Sequence, residues 1–285
     1  MRLLVREHTD EAIELDVKGV PLAFLNTIRR YALAKVPTYA IDEVMIVVNT
    51  SSMFDEVLAH RLALIPLKTE DVIDKIRGID PELCEKCASS TPEGVDPSIC
   101  GECFVHMVLE VEATTNDITV YSSDIRSDDP YVVPAYANIP IVMLAPGQRI
   151  AIEMKARIGR GLEHAKWNPA TIAVTKYVAN IKVDEKLCNL CGKCIEVCPR
   201  GTLKIENGKL NVVDVYSCTL CRQCVKACPA KAIDVGSMED EHIIRIESAG
   251  SLKPETIVRE AVYILLNELS EFEKFIEGIG KGAIQ

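Results

Sequence analysis

Aromatic residues are scarce in this chain of 285 residues, with one tryptophan, Trp167, and five histidines. No run of about eighteen apolar residues occurs, which excludes an apolar helix crossing a bilayer. The opening residues, MRLLVREHTDE, meet charge almost at once and do not resemble a secretory leader, so a cytoplasmic location is expected. Basic residues are in deficit: 32 Lys and Arg stand against 42 Asp and Glu, for a net charge of −10. Such a balance disfavours a large phosphate-contacting face and direct, specific DNA binding. No nicotinamide or flavin fingerprint is visible, so no electron partner is encoded beside whatever metal the chain holds. What is present is an apolar fraction of 48%, enough for a sizeable core, and a length that predicts two or three domains.

Twelve cysteines are the chemically informative residues. Cys188, Cys191, Cys194 and Cys198 precede Pro199, and Cys218, Cys221, Cys224 and Cys228 precede Pro229. Both runs read C-x2-C-x2-C-x3-C-P, the bacterial ferredoxin pattern. They stand 30 residues apart, and Asp184/Asp214 and Leu190/Leu220 repeat at the same offset, which marks an internal duplication. Soft thiolates suit iron–sulfur clusters, and in this pattern the fourth cysteine of each run serves the other cluster. One [4Fe–4S] cluster is therefore expected on Cys188, Cys191, Cys194 and Cys228, and a second on Cys218, Cys221, Cys224 and Cys198. Disulfides or zinc are the competing readings, and neither explains the duplication.

Cys84, Cys87, Cys100 and Cys103 form C-x2-C-x12-C-x2-C, a spacing that fits a tetrahedral structural zinc site. Pro92, Gly94 and Pro97 between the knuckles predict a loop. Two disulfides and another iron–sulfur centre are the alternatives. A chain rich in cluster cysteines belongs in a reducing compartment, which argues against disulfides. Four thiolates would fill the shell of zinc, so the site would be structural.

Along the chain, residues 3–17 read as a strand pair. Pro21 opens and Pro37 closes a helix with Leu22, Leu25, Ile28 and Ala32 on one face and Arg29 and Arg30 on its polar side. A strand is predicted from Ile41 to Asn49, a helix over 54–67, and strands within 104–121, 149–158, 172–178 and 242–248. His164, Lys166 and Trp167 crowd before Pro169; a structural turn with a satisfied histidine is preferred there to a catalytic or metal-binding His164, because no partner carboxylate or nucleophile is evident. From Pro254 a long helix carries Val258, Val262, Leu265, Leu269, Phe272, Ile276 and Ile279 as a 4-3-4-3-4-3 seam, with Ile257, Ala261 and Ile264 as a second column. One column is expected to cover the chain's own sheet and the other to meet another subunit.

Four segments, FLNTIRRYALAKVPTYAIDEV (24–44), LAHRLALIPLK (58–68), GRGLEHAKWNPA (159–170) and ESAGSLKPETIVREAVYILLNEL (247–269), together resemble the alpha-like D-type subunits of archaeal DNA-directed RNA polymerase, a family related to the N-terminal domain of the bacterial alpha subunit. The resemblance runs along nearly the whole chain and includes the ferredoxin insert of many archaeal members. It implies an α+β fold: an alpha-like dimerisation domain in three parts (1–41, 171–181 and 241–285), an inserted mainly-β second domain with the four-cysteine loop (42–170), and an inserted ferredoxin-like two-cluster domain (182–240). It also implies a non-catalytic assembly subunit. That subunit pairs with the small subunit L through the helices at 21–36 and 254–279, joins subunits N and P, and supports the two large catalytic subunits. Arg29 and Arg30 would face the large subunits. No catalytic residues are expected, and no acidic triplet for magnesium is found. The clusters would staple a domain with little core of its own. An electron-transfer subunit of an anaerobic oxidoreductase explains the clusters equally well but not the other segments, and a zinc-dependent nucleic-acid binder sits badly with the acidic balance.

Overall fold

The computed structural model describes residues 1–88 and 97–280. In chain order the elements are β1 (Arg2–His8), β2 (Ala12–Lys18), α1 (Leu22–Ala34), β3 (Pro37–Asn49), α2 (Asp55–Ala63), α3 (Ile73–Ile76), α4 (Pro81–Ala88), α5 (Pro97–Cys103), β4 (Phe104–Glu112), β5 (Ile118–Tyr121), β6 (Arg126–Ser127), β7 (Pro140–Leu144), β8 (Arg149–Arg160), β9 (Ala170–Val183), α6 (Lys193–Glu196), β10 (Leu203–Glu206), β11 (Lys209–Val212), α7 (Gln223–Ala227), β12 (Ile233–Ser248) and α8 (Pro254–Gly280). Two compact units divide them: residues 1–7, 14–26 and 174–245 form one, and residues 8–13, 27–173 and 246–285 the other. The cysteine-rich lobe falls in the same unit as the sheet that bears it.

The first unit is built on a four-stranded sheet of order β1-β2-β12-β9. β9 and β12 are neighbours, and the lobe is the excursion between them. Its neck is closed by the Asp184 amide donating to the Ala232 carbonyl at 2.8 Å. Within the lobe, β10 and β11 form an antiparallel hairpin turned by Asn207 and Gly208, both left-handed, which is the pair that a two-residue hairpin turn demands. The lobe's core is small: Cys194, Leu203 and Ile233 are buried, with Ile181, Val183, Ile195, Leu210 and Val212 packed around them.

The second unit centres on β8, which pairs antiparallel with β3 on one side and β4 on the other, in a sheet of order β3-β8-β4-β6. Alternation decides its faces. Ile150, Ile152, Met154, Ala156 and Ile158 point inward with Val105, Met107 and Leu109 of β4. Each such large side chain contributes about 1.5–3 kcal/mol on burial. β3 begins at Pro37 and not at Ile41, because a strand's first residue tolerates a missing amide. α2 stops at Ala63, three residues before Pro66, since a proline disfavours helix in the residue preceding it.

α8 separates the two apolar columns read from its sequence. Ile257 and Ala261 are fully buried, whereas Leu269, Phe272, Ile276 and Ile279 of the seam are at least half exposed, as are Leu266 and Phe275. The first half of the helix is pinned. Glu70 accepts from the Lys253 amide at 2.8 Å and the Thr256 hydroxyl at 2.6 Å. Glu260, buried, takes a bidentate pair of bonds from Arg77 at 2.8 and 2.7 Å. Glu268 then accepts from Tyr31 at 2.5 Å and pairs with Lys35 of the segment following α1.

Candidate metal centres

Each cysteine run in the lobe wraps with the same backbone. Leu190 and Leu220 both take left-handed φ (57° and 58°), as do Gly192 (77°) and Arg222 (58°), again at the 30-residue offset. A non-glycine residue there is strained by about 1–2 kcal/mol, and strain repeated at equivalent positions points to a loop shaped for something other than its own stability. The turns aim backbone amides at sulfur: Leu220 N lies 3.4 Å from Cys218 Sγ and Ala232 N 3.3 Å from Cys228 Sγ.

Cys188, Cys191 and Cys194 of the first run line one cavity together with Cys228 of the second. Its walls are mostly apolar, with Ile205, Leu210 and Ile233 among them. Burial pushes the Cys194 thiol up, and the charges of Cys228, Cys188 and Cys191 add to that. Cys224 is raised in the same way, by burial first and then by Cys198, Cys218 and Cys221. The eight thiols are free; Cys188, Cys191 and Cys194 share their cavity with Cys228, and Cys224 is influenced by Cys198, Cys218 and Cys221. A cubane fits such a set: four soft donors, amides directed at sulfur, and apolar walls, with Cys191 and Cys221 at the exposed edge. Bound there, it would supply one-electron chemistry and a four-point cross-link.

The other four cysteines are differently disposed. The i, i+3 spacing sets Cys84 and Cys87 on one face of α4, and Cys100 and Cys103 likewise on α5. The sulfurs are joined as Cys84–Cys103 and Cys87–Cys100, with Cα separations of 5.3 and 5.5 Å. This is the disulfide alternative to the zinc expected from the spacing, and the cysteines themselves stand on two short helices. Helical spacing brings facing thiols within bonding reach, so the same convergence serves either chemistry. Pro92 and Gly94, two residues behind the loop expectation, lie outside the described residues; Pro97 opens α5.

His164 caps a short 3-10 turn, Ala165–Trp167, its Nδ1 accepting from the Lys166 amide at 3.1 Å. The turn holds an ion network that the sequence did not disclose. Arg157, 4% exposed, donates to Asp42 at 2.8 Å and to Glu163 at 3.1 Å, and its guanidinium lies 4.4 Å from the Trp167 ring centre. Lys166 reaches Asp42 at 2.5 Å. Burial pushes the Asp42 carboxyl up, but bonds from Lys166 and Arg157 outweigh it and hold the group below the usual carboxylate range. Trp167 donates to the Arg157 carbonyl at 3.0 Å and covers Gly159, where a β-carbon would stand 2.4 Å from the ring. These residues close β8 against β3.

The RNA polymerase Rpb3/RpoA insert domain family matches residues 44–186, and the 4Fe-4S dicluster domain family matches residues 180–241. The DNA-directed RNA polymerase subunit Rpo3 of Methanothermobacter thermautotrophicus is 41% identical over 278 residues, covering 98% of this chain and 100% of the relative. The chain belongs to the archaeal Rpo3 family. Rpo3 of Archaeoglobus fulgidus is 39% identical over 275 residues (96% of this chain, 97% of the relative), and that of Aeropyrum pernix 32% over 284 (95% and 96%). Similarity on this scale covers both units, so the lobe belongs to the Rpo3 chain and is not a fused carrier. Among the described residues no helix is long and apolar enough to cross a membrane.

Sequence reasoning missed Arg157, Asp42 and Glu163; Asp42 lies more than a hundred residues from its partners Arg157 and Lys166.

Proposed function

We propose that this Rpo3 chain is a scaffold, equivalent to the alpha-like D-type subunits, on which an archaeal RNA polymerase assembles in the cytoplasm. It heterodimerises with subunit L, contacts subunits N and P, and supports the two large catalytic subunits without supplying catalytic residues. The observation that carries the reading is the divided helix α8. Its first half is tied down by buried Ile257, Ala261 and Glu260, while Leu266, Leu269, Phe272, Phe275, Ile276 and Ile279 stay about half exposed or more. Such a stripe on a stably anchored helix calls for a partner helix. Edge strand β1, with Leu3, Leu4 and Val5 exposed, adds apolar surface of the same kind in the other unit.

In this reading the lobe holds two [4Fe–4S] clusters, one on Cys188, Cys191, Cys194 and Cys228, the other on Cys218, Cys221, Cys224 and Cys198. Their main role is to staple a lobe whose core is too small to stand alone. In a reducing compartment Cys84, Cys87, Cys100 and Cys103 close on one structural zinc, which four convergent thiolates satisfy completely. Loss of clusters under oxygen would weaken assembly.

Co-expression with subunit L tests the scaffold. Phe272→Asp is expected to abolish co-purification while leaving iron, sulfide and zinc content unchanged; a heterodimer that survives Leu269→Asp and Phe272→Asp together refutes this use of α8. Metal analysis of anaerobically purified protein tests the cofactors: eight iron atoms and one zinc are expected, and oxidised Cys84–Cys103 and Cys87–Cys100 under those conditions would exclude the zinc.

A further inference from the structure

The two cysteine runs share their ligands, prolines and left-handed turns at a 30-residue offset, so a buried polar difference between them distinguishes their sites. Four residues after the last cysteine of the first run stands Thr202; four after the last of the second stands Ala232. Both are buried, 2% and 4% exposed. The Thr202 hydroxyl lies 3.3 Å from Cys198 Sγ. A ligating cysteine is a thiolate with no proton to give, so Thr202 is the donor. Backbone amides reach both sulfurs: that of Ala232 lies 3.3 Å from Cys228 Sγ, and those of Thr202, Arg200 and Gly201 reach Cys198. The hydroxyl is what the duplication does not share.

Surrounding charges differ as well, but they are exposed. Arg222, standing where the first run has Gly192, is offset by Asp234 at 3.0 Å, and the pair is 56% and 67% exposed. Water and salt screen such groups. A buried hydroxyl bonded to a ligand sulfur is not screened.

We propose that Thr202 is a tuning residue, which makes the cluster on Cys198, Cys218, Cys221 and Cys224 the easier of the two to reduce. A hydrogen bond to a ligand sulfur favours the more negative form of a cluster and so raises its reduction potential. One electron from a low-potential reductant of the dithionite class takes that cluster from its 2+ to its 1+ state; no proton moves and no bond breaks. The cluster on Cys188, Cys191, Cys194 and Cys228, whose Cys228 faces Ala232, follows at lower potential. The inference rests on the iron–sulfur reading above, and it makes the duplicated lobe functionally asymmetric.

The test is an EPR-monitored potentiometric titration of the anaerobically purified full chain, with iron and sulfide counted first. Two waves are expected. Thr202→Val should lower the upper wave by a factor of about ten in its reduction equilibrium, which is about 59 mV for one electron, and leave the lower wave in place. Thr202→Ser should restore it. Ala232→Ser, which removes nothing and so survives even if Thr202→Val costs a cluster, should raise the lower wave. Eight irons titrating as one wave, or variants at 202 and 232 that leave both potentials unmoved, would overturn the proposal. Wild-type protein without iron for two clusters overturns the cluster reading itself, and the two failures are thus distinguishable.

Discussion

Arg157→Met removes the centre of the network around Trp167 while keeping most of the side chain's volume. The wild-type guanidinium is 5% exposed at its side chain and is held by Asp42 (20%) and Glu163 (17%). Breaking a buried pair by deleting one partner costs about 3–5 kcal/mol, because the carboxylates stay behind without their cation. Lys166 remains on Asp42, so the lower part of that range is expected, about 3 kcal/mol. Lys209→Ala, removing an ion pair that is 60% and 67% exposed, serves as control and should cost less than about 1 kcal/mol. Trp167 is the chain's one tryptophan and sits inside the network, so its fluorescence during guanidinium titration reports this unit alone. With a slope of roughly 4 kcal/mol per molar, the midpoint should fall by about 0.8 M in Arg157→Met. The pH dependence has a fixed sign. The Asp42 pKa is depressed in the folded state, so its contribution is complete above the unfolded carboxylate value, about 3.9, and is lost as pH falls through the depressed value. Wild type and variant should therefore converge in acid. A midpoint shift no larger than the control's, or a gap that widens as pH falls, would refute the reasoning.

The crossed ligation predicts that Cys198→Ser and Cys218→Ser lose the same cluster and leave identical residual EPR spectra, while Cys194→Ser and Cys228→Ser leave the other; pairing by run instead would overturn it. Glu260→Ala frees Arg77 from the first half of α8 and should cost about 3 kcal/mol, seen as faster amide exchange across 254–265; unchanged exchange would mean that the apolar column alone anchors the helix. His242 is 1% exposed, neither ring nitrogen has a partner among the described residues, and the ring meets Tyr177 edge-on at 5.2 Å. His242→Phe should be neutral or stabilising by about 1 kcal/mol in the unfolding midpoint, and a loss above about 2 kcal/mol would reveal a partner for the imidazole.

Ligand chemistry is local, and this is why the lobe could be read so far from sequence. Two-residue spacers that suit a cluster also impose the left-handed turns at Leu190 and Leu220. Periodicity was nearly as informative for α8, but it could not say which apolar column faces inward; the buried Ile257 and Ala261 decide that. The strand read as 242–248 extends back to Ile233, because sheet pairing carries the polar stretch GSMEDE that no alternation signals. The helices α4 and α5 escaped notice because cysteine, proline and glycine are weak helix signals. Arg157 and Asp42 meet across 115 residues, a distance over which sequence pattern carries no information.

The closed neck of the lobe has a consequence for heredity. Because β9 and β12 are adjacent and Asp184 already bonds to Ala232, excising what lies between them would leave two strands needing only a tight turn. Loop-closure entropy varies slowly with length, so the host sheet is nearly indifferent to whether a hairpin or a metal-bearing lobe hangs there. A lineage can gain or discard the whole lobe without redesigning the sheet that bears it.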